Sequence, residues 1–205
     1  MTFIAAGCRT LLTGIAAVAA TALLAAPATA AVTPAAGCPQ RAVVQPFAPW
    51  SDSADYFLGP DGGFEKGGAS WALRGGAAVV QGNESFRVNA PTDVRAAQLP
   101  SASSATTAPF CIGVEHRTMR FFTNAATTST MNVDAVIDGP NGSLVAVRIA
   151  TVRGSGKWAP SPIVPMIVNT LAAQTGNAMN VRLRFTPSGT GSWAIDDVFV
   201  DPFTP

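Results

Sequence analysis

Short apolar or alternating segments, separated by Gly, Pro, Asn and Ser, follow one another along most of the chain. Val, Ile, Phe and Thr dominate them, and these are residues that β-strands favour. Frequent short strands with turn residues between them predict an all-β fold, an antiparallel jelly-roll sandwich or a barrel. The candidate strands are 77–80, 85–89, 94–99, 110–114, 118–123, 131–137, 143–152, 179–185 and 193–200.

The connections between these segments contain residues typical of tight turns. DGPNGS (138–143) places an Asn-Gly step between two candidate strands, which predicts a hairpin. TPSGTGS (186–192) has similar turn chemistry before the last strand, and GPDGG (59–63) is a third turn cluster. Helix is scarce, because only MIVNTLAAQ (166–174) predicts a helical turn or two, and a loop fits that segment nearly as well.

The N-terminal segment 1–30 has the pattern of a secretory signal peptide. One basic residue, Arg9, precedes an uncharged stretch from Leu11 to Ala26, and Ala28-Thr29-Ala30 supplies a small-x-small cleavage pattern. A membrane anchor is the alternative, but the stretch is shorter than the roughly 20 residues needed to span hydrocarbon. We therefore expect a secreted protein, extracellular or associated with the cell envelope, without stable membrane insertion after cleavage.

Cleavage after Ala30 would leave a short flexible leader, 31–37, and a single domain, 38–205. The domain keeps two cysteines, Cys38 and Cys111. In an oxidising compartment such a pair predicts one disulfide rather than a nucleophilic thiol. Lipid attachment is the competing use of a cysteine, but neither Cys8 nor Cys38 lies at the usual distance after the apolar stretch.

Charge identifies no partner. The chain has 13 basic and 12 acidic residues, and removal of Arg9 with the signal peptide makes the two numbers equal. No basic stripe suited to nucleic acid is present, so we expect no nucleic-acid binding. The oligomeric state does not follow from the sequence.

Catalytic motifs are not evident. The single histidine, His116, lies in GVEHRTM without a Gly-x-Ser-x-Gly elbow or a zinc-binding HExxH, and we expect it at a strand edge on the surface. RGSGKW (153–158) lacks the first Gly of a phosphate loop and has Trp158 where Ser or Thr belongs.

Two adjacent carboxylates interrupt the apolar last strand, SWAIDDVFVDPF. Alternation places Asp197 on the face of Trp193 and Phe199, and Asp196 on the other face. Because both faces are otherwise apolar, at least one carboxylate must protonate, pair with arginine or bind a cation. Neighbours on one strand point apart, which disfavours a glycosidase pair. Arg182 or Arg184 on the preceding strand is the arginine candidate, and calcium is the cation candidate.

Two motifs together resemble carbohydrate-binding modules of the family 4/9 type, a group of galactose-binding-like jelly rolls. The opening GPDGGFEKGGASWALRGGAAVVQGNESF (59–86) is similar to their Asp/Asn-Gly-x-Phe-Glu start, and WAIDDVFV (193–200) to their closing strand. The resemblance implies a non-catalytic module that binds a polysaccharide or other glycan. It also implies a structural Ca²⁺ held by Glu65 and Asp196, with Asp61 and Asp197 as further candidates, so that the two aspartates are structural.

Such modules bind glycans by stacking aromatic rings on sugar faces. The resemblance implies core roles for Trp71 and Trp193. The remaining candidates for sugar binding are Trp50, Tyr56 and Trp158, with Arg87 and Arg148 as polar partners.

Two other functions fit the same fold. The first is a structural or protein-interaction domain without a sugar site, which predicts an exposed apolar or Pro-rich patch such as WAPSPIVPM (158–166). The second is a jelly-roll hydrolase or lyase, which would need a cleft with two converging carboxylates, or His116 beside a nucleophile.

Overall fold

The computed structural model describes residue 2 and residues 37–202. Within them nearly all regular structure is β. The strands are β1 (Phe57–Leu58), β2 (Trp71–Arg74), β3 (Ala78–Gln81), β4 (Arg95–Leu99), β5 (Ser104–Thr107), β6 (Phe110–Gly113), β7 (Thr118–Ala125), β8 (Thr130–Asp138), β9 (Leu144–Arg153), β10 (Ala159–Pro160), β11 (Val164–Pro165), β12 (Ala178–Ser188) and β13 (Trp193–Asp201). The helical segments are Ala48–Trp50 and Pro140–Gly142, both 3-10, and α1 (Asn169–Ala172).

The strands form two antiparallel sheets. The seven-stranded sheet has the order β10-β7-β13-β4-β3, with β1 also paired to β13 and β11 to β7. The six-stranded sheet has the order β2-β5-β12-β8-β9, with β6 also paired to β12. Both sheets contribute to one apolar core cluster. The predicted all-β jelly-roll sandwich with little helix is confirmed.

Alternation along the strands fills that core. Val181, Leu183 and Phe185 of β12 are fully buried, whereas the residues between them face away from the core. Trp71 and Trp193 are also members of the core cluster, as the sequence predicts.

The predicted disulfide joins Cys38 and Cys111, with their Cα atoms 5.5 Å apart. The predicted signal peptide (1–30) and all of the leader except Gly37 lie outside the described residues, apart from residue 2. None of the helices in the described part of the chain is long and apolar enough to cross a membrane.

One local strand prediction is wrong. Residues 85–89 form a loop rather than a strand, because the carboxylate of Glu84 accepts hydrogen bonds from the N–H groups of Phe86 and Val88, which a strand would pair with a neighbour. The turn predicted at 186–192 is shorter than expected, because β12 continues to Ser188, and it leads from β12 to β13 in the other sheet. The Asn-Gly hairpin joins β8 and β9 as predicted.

A β-bulge in β13 changes which residues share a face. Asp196 pairs with Phe122 of β7, but the next pair is Phe199 with Arg120, so β13 has one extra residue between them. Asp197 takes up the bulge with φ 47°, a left-handed conformation that Asp tolerates better than most residues. Consequently Phe199 lies on the opposite face from Trp193, contrary to strict alternation.

Candidate functional site

The opening and closing motifs meet at the bulge of β13. The N–H of Gly59 donates to the carbonyl of Val198 at 2.8 Å, and the N–H of Val198 donates to the carbonyl of Gly62 at 3.1 Å. The bulge therefore directs the backbone of β13 towards the turn at 59–63. These contacts bring together two segments that are far apart in the sequence.

Gly62 and Gly63 of this turn leave room for close approach. A Cβ added at Gly62 would lie 2.7 Å from the carbonyl oxygen of Val198, closer than real Cβ atoms approach. A Cβ added at Gly63 would lie 2.9 Å from Asp197 Oδ1, 3.3 Å from the Asn89 side-chain amide and 3.8 Å from Asp93 Oδ2. Three polar side chains thus converge on the space above Gly63.

Asp196 is fully buried, and both of its oxygens accept backbone hydrogen bonds. Oδ2 accepts from the N–H of Glu84 at 3.0 Å, and Oδ1 accepts from the N–H of Asp197 at 2.9 Å. Burial, followed by the charge of Asp197, raises the pKa of Asp196 to about 9 despite these bonds.

Asp197 is also fully buried, but neither of its oxygens has a hydrogen-bond partner in the described part of the chain. Burial raises the pKa of Asp197 to about 8, and the negative charges of Glu84, Asp93 and Glu65 add to the rise. The backbone N–H of Asn89 is close enough to the Asp197 carboxyl group to offset part of this rise in pKa, although the two do not form a hydrogen bond of normal geometry. An unpaired carboxylate in such a setting favours a proton or a cation.

Asp196, Asp197, Glu84, Asp93 and Glu65 form an acid cluster, with the side-chain amide of Asn89 beside Asp197. Three residues of this cluster are not among the sequence predictions: Glu84, Asn89 and Asp93. Glu84 is 1% exposed and organises the loop after β3 through its carboxylate. The side chain of Asn89 donates to Asp93 at 2.7 Å. The sequence signal for these residues was weak. They are polar residues in and around segment 85–89, where the apolar Phe86 and Val88 predicted a strand rather than a loop.

The other two predicted calcium ligands lie in the opening turn. Glu65 Oε1 accepts hydrogen bonds from the N–H groups of Val94 and Arg95, at 2.9 and 2.8 Å, which fixes the turn to the start of β4. Asp61 Oδ1 accepts from the N–H of Lys66 at 3.0 Å, and its Oδ2 is buried without a partner.

Neither suggested arginine contacts the two aspartates. Arg182 pairs with Asp138, and Arg184 pairs with Asp134, because both point away from the core on β12. Among the described residues, no three Asp, Glu, His or Cys side chains form a metal-binding group by themselves. A cation in the acid cluster would therefore need backbone or amide oxygens among its ligands, as calcium commonly takes.

A groove of about 520 Å³ lies on the face of the six-stranded sheet that points away from the core. One row of paired residues crosses four strand pairings on this face: Ala72, Thr106, Arg184, Asp134 and Arg148. The groove covers the first three members of this row and the adjacent row formed by Arg182, Val136 and Ala146.

The lining of the groove is rich in donors. It includes the guanidinium groups of Arg74, Arg182 and Arg184 and the hydroxyl-bearing Ser70, Thr106 and Thr107, but no Asp, Glu, His or Cys among the described residues. Trp71 reaches the groove but is only 9% exposed, and its indole N–H is bonded to the carbonyl of Asp61. The groove can therefore offer hydrogen bonds and positive charge but no broad aromatic platform.

The predicted aromatic candidates lie on the other sheet. A second apolar cluster of Phe47, Tyr56, Phe122 and Phe199 covers the outer face of the seven-stranded sheet, and Trp50 and Trp158 are partly buried against it. Tyr56 is 1% exposed, so its ring cannot stack on a sugar.

Polar contacts hold Tyr56 in that second cluster. Its hydroxyl donates to Asp52 at 2.8 Å, and Asp52 also pairs with Arg120 at 2.7 Å. Burial alone would raise the pKa of Asp52, but the bonds from Arg120 and Tyr56 outweigh it and lower the pKa. Tyr56 is therefore part of the packing rather than of an open site.

The two predicted polar partners are not together either. Arg87 lies in the loop after β3 and donates to the carbonyl of Pro91, whereas Arg148 pairs with Asp134 on the six-stranded sheet. The five predicted sugar-binding residues therefore do not form one site. Arg148 lies on the face that holds the groove, although it does not line it.

His116 is 4% exposed, contrary to the expected surface position. Its Nδ1 accepts a hydrogen bond from the N–H of Gly113 at 2.7 Å, and its ring packs edge-on against Phe57. Burial lowers the pKa of His116 below its ordinary value, which favours the neutral imidazole.

No protein-family model and no curated protein sequence matches this chain. Several solved structures are similar at low sequence identity. TmCBM61 in complex with β-1,4-galactotriose is 20% identical, with 70% of this chain and 96% of that chain covered and a TM-score of 0.41. The CBM22-1 xylan-binding domain from Paenibacillus barcinonensis Xyn10C is 11% identical, with 68% and 90% covered and a TM-score of 0.43.

The enzymatically active domain of tailspike protein 4 from bacteriophage CBA120 is also similar, at 16% identity. The match covers 70% of this chain and 21% of the tailspike chain, with a TM-score of 0.43. At these identities and TM-scores a shared ligand or activity does not follow. The two modules belong to families 61 and 22, so the resemblance to family 4/9 stays a prediction.

Proposed function

We propose that the protein is a secreted, non-catalytic glycan-binding module whose binding site is the groove on the six-stranded sheet. The observation that carries this proposal is the lining of that groove, where three arginines and the hydroxyl-bearing Ser70 and Thr106 surround a concave surface. Sugar hydroxyls are recognised by such hydrogen-bond donors and acceptors. Export is supported by the signal-peptide pattern of residues 1–30.

A binding role rather than a hydrolytic one is supported by the chemistry of the groove. Glycoside hydrolysis normally uses two carboxyl groups on either side of the scissile bond. The lining contains none among the described residues. Asp134, the nearest paired carboxylate on this face, is held by Arg148 and Arg184; burial alone would raise its pKa, but these arginines outweigh that effect and lower it.

We also propose a structural Ca²⁺ in the acid cluster. Asp197 fits this role best, because both of its buried oxygens lack a partner and the side chains of Asn89 and Asp93 converge with it above Gly63. Glu65 and Asp196 remain in the proposed ligand environment, although backbone N–H groups already bind Oε1 of Glu65 and both oxygens of Asp196. The ion would neutralise the cluster and fix the opening turn to β13.

A glycan-retention experiment tests the proposed function. The purified protein is incubated with insoluble cellulose, xylan, galactan, chitin, peptidoglycan and covalently cross-linked polygalacturonate, with calcium and with chelator. Retention by one glycan is expected, and Ala146→Trp, which fills the groove, should abolish it. Thr151→Trp is the matched control, because Thr151 is exposed on the same strand outside the groove. Equal retention of both variants, or no retention of the folded protein, would contradict the proposal.

One observation favours the alternative of a protein-interaction domain. Ile163 in the Pro-rich segment 158–166 is 56% exposed, and Ile167 directly after it is 50% exposed, although Val164 and Met166 between them are buried. A folded protein that retains no glycan but loses a partner on Ile163→Ser would support this alternative.

A further inference from the structure

The groove carries an excess of positive charge. Arg74, Arg182 and Arg184 line it without an acidic residue among the described lining residues. On the wider face of the six-stranded sheet, Arg148 adds a fourth arginine, and the paired acids are Asp134 and Asp138. The whole chain has a formal net charge of only +1, so this local excess is not a general property of the surface.

The arginines keep unused donors. Arg74 is exposed and has no ion pair or side-chain hydrogen bond among the described residues. Arg182 pairs with the exposed Asp138 through Nη1 alone. Arg184 gives Nε and Nη2 to Asp134, which leaves its Nη1 group. A planar guanidinium matches a carboxylate geometrically. On this face Arg184 already binds Oδ2 of the Asp134 carboxylate, and Arg148 binds Oδ1.

The weak aromatic character of the groove points in the same direction. A neutral sugar chain is held largely by stacking on exposed rings, but the aromatic residue of this lining, Trp71, is 9% exposed and packed in the core. The contacts that the groove can offer are charge-assisted hydrogen bonds, which are strongest towards an anionic acceptor.

We propose that the groove prefers an anionic glycan that carries carboxylate groups, such as a uronic-acid polymer. This inference rests on the proposed glycan-binding function and names its substrate class. Arg74 and Arg182 are the residues that would bind the carboxylates, with Arg184 positioned by Asp134 between β5 and β8.

Calorimetric titration with defined hexamers tests the preference. The probes are hexagalacturonate, xylohexaose, a carrageenan hexasaccharide, which carries sulfates but no carboxylates, and hexathymidylate. Hexagalacturonate should bind at least about tenfold more tightly than xylohexaose, and its affinity should fall as salt is raised. Arg74→Gln and Arg182→Gln should each weaken it by about tenfold. Arg153→Gln, an exposed arginine at the end of β9 outside the groove, is the control and should have no effect.

The outcomes separate the two proposals. Equal or tighter binding of xylohexaose, abolished by Ala146→Trp, would overturn the anionic preference and leave the glycan-binding function standing. Binding of hexathymidylate or the sulfated probe as tight as that of hexagalacturonate would overturn the carboxylate preference. An equal loss with Arg153→Gln would also overturn it, because the attraction would be unspecific. No binding of any saccharide would overturn both proposals.

Discussion

The backbone N–H of Glu84 donates a hydrogen bond to Asp196 Oδ2 at 3.0 Å, across 112 positions of sequence. The carboxylate of the same Glu84 accepts the N–H of Val88 at 2.7 Å and also that of Phe86. The loop after β3 is thereby fixed to the last strand, beside the unpaired Asp197. The loop, the opening turn and the bulge form one structural unit around the two buried carboxyl groups of Asp196 and Asp197.

Replacement of Asp197 should test two properties of its carboxylate, the destabilisation of the metal-free fold and the binding of calcium. Asp197→Asn removes an unpaired buried charge. In chelator at pH 9 we therefore expect the free energy of unfolding of the variant to exceed that of the wild type by about 1 kcal/mol or more, measured by denaturant unfolding. Calcium should raise the melting temperature of the wild type but not that of the variant. Asp138→Asn, on the exposed side of the other sheet, should keep the full calcium effect. A calcium effect preserved in Asp197→Asn would contradict this assignment.

Asp196→Asn should destabilise the fold, whereas Asp197→Asn should stabilise the metal-free fold. Asp196 accepts one backbone N–H on each oxygen, and an asparagine offers a single acceptor oxygen. One N–H of Glu84 or Asp197 would stay unpaired, at a cost of about 1–3 kcal/mol. Denaturant unfolding at or below about pH 4, where this carboxyl group holds its proton in the unfolded as well as the folded protein, measures this cost. An unchanged free energy of unfolding would show that the two hydrogen bonds do not contribute.

The metal-free protein should lose stability as the pH rises. The pKa values of Asp196 and Asp197 are raised from 3.8 to about 9 and about 8 in the folded protein. Between these limits the folded state therefore binds more protons than the unfolded state, and the free energy of unfolding falls from about pH 4 to about pH 9. Urea unfolding in chelator across this range measures the slope. A free energy that rises with pH from 5 to 9 would contradict these shifts.

A methyl group at Gly63 should occupy the space where three polar side chains converge. Gly63→Ala places a Cβ 2.9 Å from Asp197 Oδ1, so we expect a loss of about 1–3 kcal/mol and no calcium-dependent rise in melting temperature. Gly189→Ala is the control: no atom lies within 4 Å of its Cβ, but its φ of 85° costs about 1–2 kcal/mol. That variant should keep the calcium effect. Retention of the effect in Gly63→Ala would place the ion elsewhere.

Much of the fold follows from local sequence. The long β-strands β7, β8, β9, β12 and β13 alternate or are rich in β-branched residues, and the Asn-Gly hairpin joins β8 to β9. The short β1, β2, β5, β10 and β11 escape prediction, because two to four residues without clear alternation carry little signal and depend on tertiary pairing.

The site depends on features that are not local. Positive φ at Asp197 inserts a bulge that strict alternation cannot predict, and a single carboxylate, Glu84, converts an apolar segment into a loop. Arg184 was a reasonable partner for the aspartates by sequence, but its strand belongs to the other sheet and it pairs with Asp134. The groove brings together Arg74, Thr106 and Arg182 from three different strands, so no contiguous sequence motif predicts it.

Chemical-shift mapping of a bound hexasaccharide tests the binding face most directly. With ¹⁵N-labelled protein and hexagalacturonate or xylohexaose, the side-chain Nε–H signals of Arg74, Arg182 and Arg184 should move in a saturable way. The indole signals of Trp50 and Trp158, on the opposite sheet, should stay in place. Saturable shifts of those indoles with unmoved arginine signals would contradict the groove as the glycan-binding site.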